Sequence, residues 1–172
     1  MKKSELINKI SETIKKISDT PKKYPNPKLK LPDIGLCAAR HLVNHGYNTS
    51  ICRSRAYHLT DAHNYHRVIY QLSGGKEAQI GRLPVEPVDL IVDALIGCGL
   101  QGTPRGPTVT LIDWANDNGA PVLALDVPTG VDPTTGKSEG KFIRPDVTLT
   151  LGLPKTGRFA LLIIVCKKEF FD

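Results

Sequence analysis

VDLIVDALIGCGLQGTPRGPTVTLIDWANDNGAPVLALDVPTG, residues 88–130, decides how the rest of the chain is read. Val88 to Ile96 is almost wholly apolar and rich in β-branched side chains, the composition of a strand buried on both faces. Pro121 to Leu125 is a second such run. Between them, Thr108 to Asn118 sets Val109, Leu111, Ile112, Trp114 and Ala115 on one broad face. Pro107 or Thr108 opens that helix and Gly119 stops it. A strand–helix–strand unit with short connections is parallel and right-handed in almost all known cases. Asp93 and Asp126 stand at or near the C-terminal ends of the two strands. In an open parallel sheet, the crevice beyond those ends is where ligands bind.

Outward from this unit, Gly35 to Asn44 reads as a helix stopped by Gly46, and Tyr47 to Cys52 as a strand. Thr60 to Leu72 reads as a helix ended by Gly74-Gly75, and Ala78 to Leu83 as a short strand. Val147 to Leu151 and Leu161 to Cys166 are β-rich runs. At the start, Leu6, Ile10, Ile14 and Ile17 fall at helical spacing, predicting an amphipathic helix over Ser4–Ser18 that packs on the domain or a partner subunit. Pro21, Pro25, Pro27 and Pro32, interleaved with lysines, make an extended linker. The expected organisation is a basic arm over residues 1–34 and one α/β domain over residues 35–172.

Composition narrows the function. With 172 residues the chain is long enough for one domain with a real core. Nine of the 23 basic residues and three of the 17 acidic ones lie in residues 1–30, which leaves fourteen of each in the rest. The whole formal charge of +6 therefore lies in residues 1–30, and residues 31–172, which balance, carry no nucleic-acid footprint. A solvated arm is the plain reading; salt-sensitive contact with RNA or an acidic partner is the sharper one. No apolar run reaches the ~20 residues of a membrane span. The N-terminus has the layout of neither a signal peptide nor an Arg-rich, acid-poor presequence. Four cysteines, at 37, 52, 98 and 166, form no C-x-x-C pair, which fits a reduced, cytoplasmic setting.

Several residues could carry chemistry. His41 and His45 at i, i+4, and His63 and His66 at i, i+3, could each hold a metal. Without an H-E-x-x-H pattern or nearby cysteines, however, they read as surface or packing residues, and zinc is discounted. The loop Gly97-Cys98-Gly99-Leu100-Gln101-Gly102-Thr103 has three glycines that let backbone N–H groups approach a phosphate. Alone, it reads equally well as a flexible turn; Asp93 upstream and Asp126 on the neighbouring strand weight it toward a site. Asp126 against an apolar wall could act as acid or base, or could instead cap its own loop. Asp93 with the Thr129 hydroxyl would suit a hard cation. Cys98 has no basic neighbour in sequence and reads as packing. Lys155 could reach the same sheet edge and meet a ligand phosphate.

Taken together, VDALIGCGLQGTPRGP, WAN followed by GAPVLALDVPTGVDPTTG, and TLTLGLPKTG resemble the NAD(P)H-hydrate epimerase family, the YjeF N-terminal domain. GLCAARHLVNHGY at 35–47 is similar to that family's first helix. The resemblance implies a Rossmann-like three-layer α/β/α domain with a mainly parallel sheet, usually dimeric. It implies interconversion of the R and S forms of hydrated NADH and NADPH, in support of a partner dehydratase. It implies a potassium ion at Asp93 and Thr129, a hydroxyl kept where the family more often has Ser. It also implies substrate contacts from the 97–103 loop and Asp126; we expect Asp126 to transfer the proton, and Asp33 to add a substrate contact from what remains of the upstream loop. Upstream the pattern departs: where the family has a first strand and an Asn-Asn-Gly-Gly-Asp-Gly loop, this chain has Lys28-Leu29-Lys30-Leu31-Pro32-Asp33-Ile34-Gly35. Only Gly35 and Asp33 match that loop, and Tyr24 to Leu31, broken by Pro25 and Pro27, makes a poor central strand. A neighbouring strand would then lose its partner. The alternative reading is a catalytically silent binding or scaffold domain of the same family.

Overall fold

The computed structural model describes residues 4–5, 7–12, 34–54, 61–85, 88–97, 102–150 and 162–167. In chain order they form α1 (Ile34–Asn44), β1 (Asn48–Arg53), α2 (Asp61–Leu72), β2 (Lys76–Ala78), a 3₁₀ turn (Ile80–Arg82), β3 (Leu90–Ala94), α3 (Pro107–Asp117), β4 (Val122–Leu125), β5 (Val147–Leu149) and β6 (Leu162–Lys167). The strands make one six-stranded sheet in the order β2-β1-β6-β3-β4-β5.

The β3–α3–β4 unit forms as the sequence predicts, with Pro107 at the first helical position and Gly119 beyond the helix at a φ of 77°. Residues along β3 alternate between two cores. Leu90 and Val92 join Leu36, Ala39 and Leu42 of α1 and Tyr70 of α2; Ile91 joins Leu111, Ile112 and Ala115 of α3. Helices on both faces of an apolar sheet make the expected three layers. Ile7 and Ile10, in the helical residues 7–12, are buried in the core that α1 and α2 share, so this helical turn packs on the domain. Leu6, Ile14, Ile17 and the linker lie outside the described residues.

Two expectations change. The run from Ala78 to Leu83 is not a strand: β2 ends at Ala78 and an Arg82 N–H to Gln79 carbonyl bond of 2.9 Å closes the 3₁₀ turn. Ile80 and Leu83, three apart, pack against the α3-side core, a spacing that alternation cannot satisfy. The second change is at the centre of the sheet. Tyr24 to Leu31 lies outside the described residues, yet neither β1 nor β3 is left without a partner. β6 runs between them, antiparallel to both, pairing Ile164 with Ile51 on one side and with Val92 on the other. Its sequence, Leu-Ile-Ile-Val-Cys-Lys, is the near-continuous apolar run of a central strand. The other five strands share one direction, so β1, β3, β4 and β5 all end at the same edge.

At the β2 edge, Glu77 accepts from Arg53 at 3.1 Å and pairs with Arg67, tying α2 to the sheet. Burial alone pushes the Glu77 carboxyl up; the two guanidiniums outweigh it and hold the group below its ordinary value. A carboxyl depressed in the fold adds stability above its unfolded pKa and loses it as pH falls through the folded one. Against Glu77→Gln, the wild-type chain should lose relative stability between about pH 5 and pH 3; thermal unfolding of both across that window checks it, and parallel curves would contradict it. Proline at position 164 removes a ladder donor from the centre of the sheet. Ile164→Pro should abolish cooperative unfolding followed by circular dichroism, and an unchanged midpoint would refute the central placement of β6.

Candidate active site

The loops after β3 and β4 are joined by one buried carboxylate. Asp93, 1% exposed, sits next to the last residue of β3. Its Oδ1 accepts from the Leu95 N–H at 3.0 Å and lies 2.7 Å from the Thr129 hydroxyl; its Oδ2 accepts from the Thr129 N–H at 2.8 Å. The Thr129 hydroxyl, wholly buried, also accepts from the Ile96 N–H at 2.8 Å and lies 3.2 Å from the Ile96 carbonyl. With two acceptors in reach, the hydroxyl proton points to Asp93 when the carboxyl is ionised and to Ile96 when it is protonated. Burial pushes the Asp93 carboxyl up, against the hydrogen bonds from Thr129 and Leu95. Among the described residues no basic side chain forms an ion pair with it.

That arrangement tests the expected cation. A buried carboxyl is neutralised, paired or bound to metal, and among the described residues Asp93 has no basic partner. A carboxylate, a hydroxyl and a carbonyl converge around Thr129, all oxygen donors of the kind a hard cation takes. The donors fit a potassium ion in kind.

Asp126 follows β4 directly, with its N–H donated to the Leu149 carbonyl of β5 at 2.8 Å. It has a φ of 72°, and among the described residues it is the only non-glycine in the left-handed region. Such a backbone costs on the order of 1–2 kcal/mol and collects at functional sites. The side chain is half-buried. Gly130, with a φ of 94°, lets the same loop pass against the Lys141–Phe142 backbone, where a Cβ would collide with the Lys141 carbonyl. The Ile143 N–H then reaches the Thr129 carbonyl at 2.8 Å.

The structure therefore brings Asp93, Thr129, Gly97 and Asp126 to one sheet edge. Gly97 is buried beside the clasp; Gly102, with a φ of 70°, is exposed. Thr103 lies against Gly140, whose absent side chain makes room for it. Cys98, Gly99, Leu100, Gln101, Asp33 and Lys155 lie outside the described residues. The WAN segment turns out to be scaffolding. Trp114 Nε1 donates to the Pro84 carbonyl at 2.8 Å, and Asn116 holds the Phe142 carbonyl and the Arg144 N–H. Sequence reasoning missed the Leu95 and Ile96 backbone groups, because side-chain type carries no signal for backbone donors.

His41 Nε2 faces the Arg40 guanidinium at 3.0 Å, and the His45 ring nitrogen contacts the His41 carbonyl at 2.8 Å. Among the described residues no group of three or more His, Cys, Asp or Glu could hold a metal. Burial pushes the Cys52 thiol up to about 11, against a small opposing effect of Arg53, so it is inert. No described helix is long and apolar enough to cross a membrane.

Thr129→Val keeps the shape and deletes the hydroxyl, leaving Asp93 and the Ile96 N–H short of a partner. It should cost about 2 kcal/mol and lower the thermal midpoint by roughly 4–8 °C, whereas Thr129→Ser should cost under ~1 kcal/mol. Equal midpoints for wild type and the valine variant would refute the clasp.

Residues 34–157 match the family model described as YjeF-related protein N-terminus. The NAD(P)H-hydrate epimerase of Dehalogenimonas lykanthroporepellens is 40% identical over 127 residues, which are 72% of this chain and 50% of that protein. The bifunctional NAD(P)H-hydrate repair enzyme Nnr of Salinibacter ruber is 38% identical over 141 residues, 72% of this chain and 26% of that enzyme. The chain thus spans half the length of the first relative and about a quarter of the second. The crystal structure of yeast ynu0 superposes with a TM-score of 0.61 at 20% identity, over 86% of this chain and 70% of that one, and shares the fold. With the matched region running from α1 through the clasp and beyond β5, the chain belongs to the YjeF N-terminal family.

Proposed function

We propose that this chain interconverts the R and S forms of hydrated NADH and NADPH. The observation that carries the reading is the joining of the β3 and β4 loops by the buried Asp93–Thr129 clasp, with Asp126 in a strained backbone conformation beside it. The names of the relatives point the same way.

In this reading Asp126 takes and returns the proton at the altered nicotinamide ring. The Leu149 carbonyl and the Val127 N–H to Leu125 carbonyl bond fix its backbone, so the carboxyl meets the substrate from a rigid loop. Gly97, Gly102 and Thr103, with the rest of that loop, give N–H groups to the dinucleotide phosphates. Lys155, in the connection between Leu149 and Leu162, adds a cation there; both of those anchor residues stand at the crevice edge. Asp93, Thr129 and the Ile96 carbonyl hold a potassium ion, which when bound supplies a fixed positive field. We further read the protein as a cytoplasmic homodimer whose product passes to an NAD(P)H-hydrate dehydratase.

Conversion of purified R-form hydrated NADH, in potassium buffer, tests the reading. Asp126→Asn, which keeps the left-handed backbone easily, should lose at least ~100-fold in rate while its unfolding midpoint stays near wild type. A folded wild-type chain with no turnover, beside a working epimerase in the same buffer, would overturn the enzyme and leave the silent binding domain.

A further inference from the structure

Ser54 follows β1 directly, is 3% exposed, and its hydroxyl has no hydrogen-bond partner among the described residues. A buried hydroxyl without a partner carries its full desolvation penalty, so its place in the fold needs a reason. Register gives that place. Arg53 and Ala94 both pair with Leu162, so Ser54 lies level with Leu95, the residue whose N–H binds Asp93.

The position coincides with the point where the sheet's connections reverse. From β1 the chain crosses by α2, on the Tyr70 face, to β2; from β3 it crosses by α3, on the opposite face, to β4. Ligands of open α/β sheets lie in the crevice at that reversal. Ser54 is two strand spacings from the Asp93 loop and three from Asp126, about 10 and 14 Å. That separation suits the far half of a dinucleotide whose nicotinamide end meets Asp126. Arg53, the neighbouring cation, is engaged by Glu77. What Ser54 offers is a neutral hydroxyl, matched to another hydroxyl.

We propose that Ser54 contacts a ribose hydroxyl on the adenosine half of the hydrated dinucleotide, a contact that rests on the substrate reading above. It is a binding residue, remote from the reacting ring.

The test is calorimetric binding of hydrated NADH and of hydrated reduced nicotinamide mononucleotide, which lacks the adenosine half, to wild type and Ser54→Ala. The variant should bind the dinucleotide about threefold to tenfold more weakly and the mononucleotide unchanged. Its ligand-free unfolding midpoint should be equal to wild type or higher, since an unsatisfied hydroxyl has gone. Equal dinucleotide binding overturns the contact, as does an equal loss for both ligands. A lowered ligand-free midpoint assigns the hydroxyl to a structural water and also overturns it. If wild type binds neither ligand, the substrate reading itself fails and takes this contact with it.

Discussion

A carboxylate shut away from water, with no cation beside it among the described residues, sets the terms for the crevice. Asp93 is held by three donors, and all three come from the loops it joins: Leu95 from its own, Thr129 twice from the next strand's. Breaking any one leaves a buried carboxyl less satisfied, which costs the desolvation penalty of that group and not only the net worth of a hydrogen bond. The loops after β3 and β4 are thereby fixed relative to one another, and Asp126, three residues before Thr129, inherits that rigidity. A strained φ at Asp126 persists only because its surroundings determine it so fully: the Leu149 carbonyl on one side and the close pass of Gly130 against Lys141 on the other.

The clasp needs β3 to sit firmly in the sheet, and β6 is what flanks it on the side away from β4. A central strand buried between two layers must find ladder partners along both edges. The resemblance leads us to expect a strand from upstream of α1, followed by a glycine-rich loop. Here an antiparallel strand from downstream satisfies the same backbone groups. Its direction sets what enters the crevice from the centre of the sheet: the start of β6 at Leu162, level with Arg53 and Ala94.

How much of this was legible in the sequence follows from the kind of signal each feature emits. The β3–α3–β4 unit was readable because a buried parallel strand is an unbroken apolar run and a helix is periodic; Val122–Leu125 and Pro107–Asp117 show both plainly. Asp93 and Asp126 were readable because topology sends strand ends to one edge. The neighbour of β6 was not readable: its run of Leu, Ile and Val declares a strand without naming a direction or a partner, since pairing is non-local. Ile80 and Leu83 misled for a local reason, as a spacing of three fits a tight turn and a short strand's alternation was read into it. Ser54 gave no signal at all, because an unpartnered hydroxyl is a property of its surroundings and not of its residue type.

Amide chemical shifts of the ¹⁵N-labelled chain, followed during titration with R-form hydrated NADH, test most directly where substrate sits. Binding at the crevice predicts the largest shifts at Gly97, Gly102, Asp126 and Thr129, with Asp117 and Gly119 at the opposite end of β4 unmoved. Shifts confined to the opposite edge, or none at saturating ligand, would contradict the placement of the active site.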